Sequence, residues 1–169
     1  LGGNKPRGDL RGDGDATQDV PQTFGPMAGK TETIHTYGWY NRKYVADIQA
    51  KGAIPMFLSM TIIDEWRPDA NGVPHLQRGG GFDDVMKSIA DALHLQYIDM
   101  GGVEADRLEA TGQEKAKLLF PIDHTHTSAV GADLNAQSVV IALEEAKSPL
   151  VAYLKAKLPL PAQTPDAAK

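Results

Sequence analysis

The chain has 169 residues, 41% of them hydrophobic and 23% charged, with a formal charge of -5. That size suits one domain with one hydrophobic core, and the absence of any basic block argues against nucleic acid as a partner. There are no cysteines, which excludes disulfides and thiolate metal sites, and no apolar run is long enough to span a membrane.

Residues 1–31 are rich in Gly, Asp, Pro and Thr and read as one long loop, of the kind that is often functional, or as a disordered leader. Residues 32–51 read as a helix, because Ile34, Tyr37, Asn41, Tyr44, Val45 and Ile48 recur at helical spacing. Thr33 is its candidate cap and Gly52 its stop. Residues 53–60 form a short apolar run that reads as a buried parallel strand, with Pro55 near its start. A second loop covers 61–81 and contains Trp66. Phe82, Val85, Met86, Ile89, Ala90 and Leu93 then mark a second helix, and residues 95–99 a second strand. One or two short helices cover 103–119. Residues 128–146 read as a helix capped by Ser128, with Val130, Leu134, Ser138 and Ile141 on one face. A short helix near 149–157 precedes a tail over 159–169 that reads as disordered.

Alternation of helix and strand indicates an α/β fold with a parallel sheet. Two strands are too few to cover these helices, since stable sheets need about three or more. Residues 1–158 therefore read as the C-terminal part of a larger doubly wound domain. On that reading the helices at 32–51 and 82–93 expose apolar faces where further strands would pack, which favours association.

The block Phe120-Pro121-Ile122-Asp123-His124-Thr125-His126-Thr127-Ser128 carries the chemistry. An aspartate three residues ahead of a histidine can fix the imidazole tautomer and leave the second ring nitrogen as a base. Those are two parts of a serine-hydrolase triad. Bracing of a loop is the bland alternative. A metal pair of His124 and His126 lacks a third ligand, because His35, His75 and His94 stand at no suggestive spacing.

Three segments together carry a family resemblance: Ile34-His35-Thr36-Tyr37-Gly38-Trp39-Tyr40-Asn41-Arg42-Lys43-Tyr44 leading to Lys51-Gly52-Ala53-Ile54-Pro55, the Asp-His-Thr-His-Thr block, and Gly131-Ala132 with Asn135-Ala136. In that order they resemble the rhamnogalacturonan acetylesterase family of the SGNH (GDSL-type) hydrolase superfamily. The loop Arg7-Gly8-Asp9-Leu10 with Gly12-Asp13-Gly14 is similar to the segment after the family's third block. The likeness runs to about residue 157. It implies a flavodoxin-like α/β/α sandwich of about five parallel strands, of which this chain holds the last two. Asp123 and His126 match the family's catalytic pair. The family's Gly-Asp-Ser nucleophile block has no counterpart here. Of the serines present, Ser59, Ser88, Ser128, Ser138 and Ser148, only Ser59 ends a strand and could substitute. Gly2-Gly3-Asn4-Lys5 has part of the oxyanion-hole block, with lysine in place of aspartate. Either Asn4 is that asparagine or the true block ended before Leu1, which is the favoured reading.

The resemblance implies removal of acetyl groups from rhamnogalacturonan, with no cofactor, no metal and a secreted or periplasmic location. The partner is an acetylated polysaccharide; neither nucleic acid nor a membrane is one. Lacking a nucleophile, the chain by itself is expected to be inactive. Trp66, beyond the first strand, and His35 are substrate-side candidates. Trp39 sits beside Tyr37 and Tyr40 and reads as core. Ile62-Ile63-Asp64-Glu65 departs from the family's Arg and Asn in that loop. Two other readings stay open. One is a pseudoenzyme or carbohydrate-binding remnant, and the other an acetylesterase for a different polysaccharide such as xylan.

Overall fold

The structure is a computed structural model and describes residues 8–79 and 81–154, without the side chains of Gly8 and Asp9. Asn4, Arg7 and the tail over 159–169 lie outside the described residues. The chain mixes helices with short strands and divides into two compact units.

The first unit comprises Leu1–Phe57 and Gly80–Leu95. The expected long loop is instead a 3-10 turn at Gly8–Arg11 followed by an antiparallel hairpin of β1 (Thr17–Pro21) and β2 (Thr31–His35). Register runs from Thr17 opposite His35 to Pro21 opposite Thr31. Thr33 is not a cap: its hydroxyl donates across the hairpin to Asp19 Oδ1 at 2.7 Å. The helix expected from residue 32 begins later, as α1 (Tyr37–Ala50), because the β-branched run Thr31-Glu32-Thr33-Ile34 suits an extended backbone. Thr36 is the actual cap, and its hydroxyl accepts from Trp39 N at 3.1 Å and donates to Gly14 O at 2.5 Å. α1 packs on α2 (Gly81–Ala92), and Tyr37 meets Phe82 edge-on at 4.7 Å. Val45, Phe57, Met86, Ile89 and Ala90 are buried, while Tyr44, Ile48, Phe82 and Leu93 keep exposed apolar surface. Arg42 Nε donates to Asp13 Oδ1 at 3.0 Å and its Nη2 pairs with Asp13 Oδ2.

The second unit comprises Leu58–Gly79 and Gln96–Lys169. The Leu58 end of β3 (Met56–Leu58) enters it and pairs with β6 (Gln96–Ile98), and Ser59 N donates to Ile98 O at 3.0 Å. Within the expected loop 61–81 lies a second antiparallel hairpin, β4 (Trp66–Pro68) with β5 (Pro74–Leu76). Its turn is set by Asp69, whose Oδ1 accepts from Asn71 N and Val73 N at 2.8 Å each. Behind it stand α3 (Met100–Thr111), α4 (Gln113–Lys117) and α5 (Ala129–Glu145). The core joins Ile62, Leu76, Ala105, Leu108, Ala116, Phe120 and Leu134. Val130 is partly exposed, and the buried face of α5 runs through Gly131, Leu134, Ser138, Ala142 and Leu143. Arg107 ties α3 to α5, donating to Leu134 O at 2.8 Å, Ser138 Oγ at 3.1 Å and Gln137 Oε1 at 2.6 Å. No helix among the described residues is long and apolar enough to cross a membrane.

Candidate active site

The loop from Pro121 to Thr127 is pinned at both ends. Before it, Phe120 is buried in the core. After it, Ser128 caps α5, its Oγ accepting from Gly131 N at 3.2 Å while its own N–H donates to Leu119 O at 2.7 Å. Gly131 is required by this closure: a Cβ there would stand 3.1 Å from Leu119 O and 2.8 Å from Thr127 Cβ. In the middle, His124 O accepts from Asp64 N at 2.7 Å.

Within that frame Asp123 acts with both oxygens. Oδ1 accepts the backbone N–H groups of Thr125 and His126, each at 2.8 Å. Oδ2 lies 2.7 Å from His126 Nδ1. The two backbone donors and the imidazole stabilise the anion, so the carboxyl is held well below the ordinary aspartate range. With Nδ1–H directed at this carboxylate, the Nε2 lone pair remains available as a base. Among the described residues Nε2 has no partner, and the His126 side chain is 72% exposed. The pair is thus an assembled, outward-facing base.

Beneath the loop lies a group that the sequence did not flag. Glu104 on α3 is fully buried, and its Oε2 accepts from Ile62 N at 3.0 Å. Oriented to satisfy its neighbours, the Asn135 amide nitrogen donates to Glu104 Oε1 at 2.8 Å and to Gly131 O at 3.0 Å. This one carboxylate links the segment after β3 to the start of α5. Two residues beyond Ile62, Asp64 makes the bond to His124. Burial raises the Glu104 pKa, against the opposing pull of the Ile62 N–H and Arg107.

Four of the five serines, Ser128 among them, have other tasks. Ser59 is buried, and its Oγ accepts from Gly101 N at 2.7 Å. Ser138 Oγ donates to Leu134 O, and Ser148 caps the following 3-10 turn. Ser88 lies on α2 in the first unit. Trp66 is half-buried against the core of the second unit, with its indole N–H on Asp64 Oδ1 at 2.8 Å. His35 ends β2 in the first unit and stacks on Trp39 at 3.8 Å. No three His, Asp or Glu side chains converge as metal ligands among the described residues.

No family model matches the chain. It is 28% identical over 144 residues to a rhamnogalacturonan acetylesterase of Emericella nidulans, covering 85% of this chain and 55% of that protein. It is also 28% identical over 144 residues to the probable rhamnogalacturonan acetylesterase YesY of Bacillus subtilis, covering 82% of this chain and 62% of that protein. The chain is related to SGNH-type esterases. It spans between half and two thirds of the length of these curated relatives.

Proposed function

We propose that this chain carries the acid–base end of a carbohydrate esterase that removes acetyl groups from rhamnogalacturonan by a Ser-His-Asp mechanism. The contact between Asp123 Oδ2 and His126 Nδ1 at 2.7 Å, with Nε2 open, is the observation that carries this reading. In the complete enzyme His126 Nε2 takes the proton of a serine hydroxyl as that oxygen attacks the acetyl carbonyl. It then returns the proton to the departing sugar oxygen, and a water molecule repeats the sequence to free acetate. Asp123 holds the ring and stabilises the imidazolium. The serine and most of the oxyanion hole lie outside these residues on this proposal, with Asn4 as the alternative oxyanion donor and Trp66 and His35 as the substrate-side candidates. Residues 1–158 belong to one flavodoxin-like sandwich, and the protein is exported. Names and partial coverage of the two relatives support the reaction class.

The test uses the complete gene product and acetylated rhamnogalacturonan. Acetate release that disappears in His126→Ala is expected; release that survives that change refutes the assignment. The 169-residue chain alone is expected to release none. Acetate from the chain alone would place the nucleophile inside it. Structural use of Ser59, Ser138 and Ser148 favours a second reading, a non-catalytic polysaccharide-binding protein. An inactive complete gene product that still binds the polysaccharide decides for it.

A further inference from the structure

A concavity lies wholly in the first unit, between the end of β2 and the outer face of α1. Its volume is about 410 Å³, within the range of about 300–1,000 Å³ found for small-molecule sites. Its wall is aromatic: His35, Trp39, Tyr40 and Tyr44. His35 and Trp39 stack nearly parallel, 11° apart, and Tyr40 stands on edge to Trp39 at 86°. The bonds of the buried Thr36 hold the turn from β2 into α1 that carries His35 and Trp39. Tyr44, one turn further along, is 66% exposed. Beside it Lys43 Nζ and Asp47 Oδ2 pair at 2.8 Å, which sets a cationic donor next to an anionic acceptor.

We infer that this cavity is a carbohydrate subsite that holds one pyranose unit of a uronate-containing polysaccharide. Aromatic faces suit the C–H faces of a pyranose, and they bury apolar area without many rotors to freeze. A donor and an acceptor side by side match two neighbouring sugar hydroxyls, and the Lys43 ammonium can also meet a uronate carboxylate. Choice of polysaccharide rests on the function proposed above; the cavity chemistry does not.

The experiment titrates the purified 169-residue chain with deacetylated rhamnogalacturonan oligosaccharide and follows the Trp39 indole N–H by NMR. A saturable shift is expected, with Kd raised about tenfold by Tyr44→Ala, a loss of ~1.4 kcal/mol. Lys43→Ala should raise it several-fold. Tyr153→Ala, which removes an 81% exposed tyrosine elsewhere, should leave Kd unchanged. No saturable shift at millimolar oligosaccharide overturns the inference. So does a Kd unmoved by Lys43→Ala, a variant that needs no repacking. Acetate release by the complete gene product is scored separately. Binding without release sinks the catalytic reading and leaves the subsite standing; release without binding here does the reverse.

Discussion

Glu104 offers the sharpest test of how the candidate site is held. Replacement by alanine removes the acceptor of the buried Ile62 N–H and one acceptor of the Asn135 amide. A buried donor left unpaired costs about 1–3 kcal/mol, so the two together should cost about 2–5 kcal/mol. For a chain of this size that corresponds to a fall in Tm of roughly 5–15 °C. Glutamine should be far milder, at about 1 kcal/mol. Its oxygen can still accept from Ile62, and the Asn135 amide can turn over, losing only its bond to Gly131 O. The pH dependence has a definite sign. Because burial raises the Glu104 pKa in the folded state, the protonated group is the one folding favours. Its contribution is full below the unfolded carboxyl value and declines as pH rises through the raised folded value. The stability of the native chain relative to Glu104→Gln should therefore be greater at pH 4 than at pH 8. Urea unfolding followed by circular dichroism measures both. An alanine variant within about 0.5 kcal/mol of the native chain would refute the argument, as would a native-to-glutamine margin that grows with pH.

Asp123 should remain ionised far into acid, because two backbone donors and His126 hold its folded pKa down. That contribution to stability is present above the unfolded aspartate value and lost only as pH falls through the lowered folded one. Carboxyl ¹³C shifts that show Asp123 protonated at pH 3 would contradict it. Gly38→Ala places a Cβ 2.6 Å from Asp13 Cα, a backbone atom that cannot rotate away. A loss of about 1–3 kcal/mol is expected in thermal unfolding, and an unchanged Tm would show that the Asp13 turn is free to move. Ser128→Ala removes the α5 cap and should cost about 0.5–2 kcal/mol, with Ser128→Asp recovering most of it in the same assay.

What could be read from sequence was local. Asp123 and His126 meet because the aspartate organises the next three residues through backbone bonds, and that needs no distant partner. α2 and α5 followed from apolar periodicity, and the Ser128 cap from its residue type. The β1–β2 hairpin escaped because its strands lie mostly in solvent and so carry no strong apolar alternation. Thr33 misled for the same reason: a threonine before an apolar run looks like a cap until a cross-strand aspartate claims it. The β4–β5 hairpin is short, and two prolines in it weaken the strand signal. Glu104 had no local signature at all, since its acceptor role is met by an amide 42 positions away in the chain.

The aspartate that steadies the imidazole also folds the loop that bears it. Four consecutive positions thus form a compact cassette, tied to the rest of its unit by the bond from Asp64 N to His124 O. On the function proposed above, the surrounding surface can be rebuilt to receive a different alcohol while the aspartate–imidazole geometry stays in place. Exchange of that carboxylate alone would undo scaffold and chemistry at one stroke.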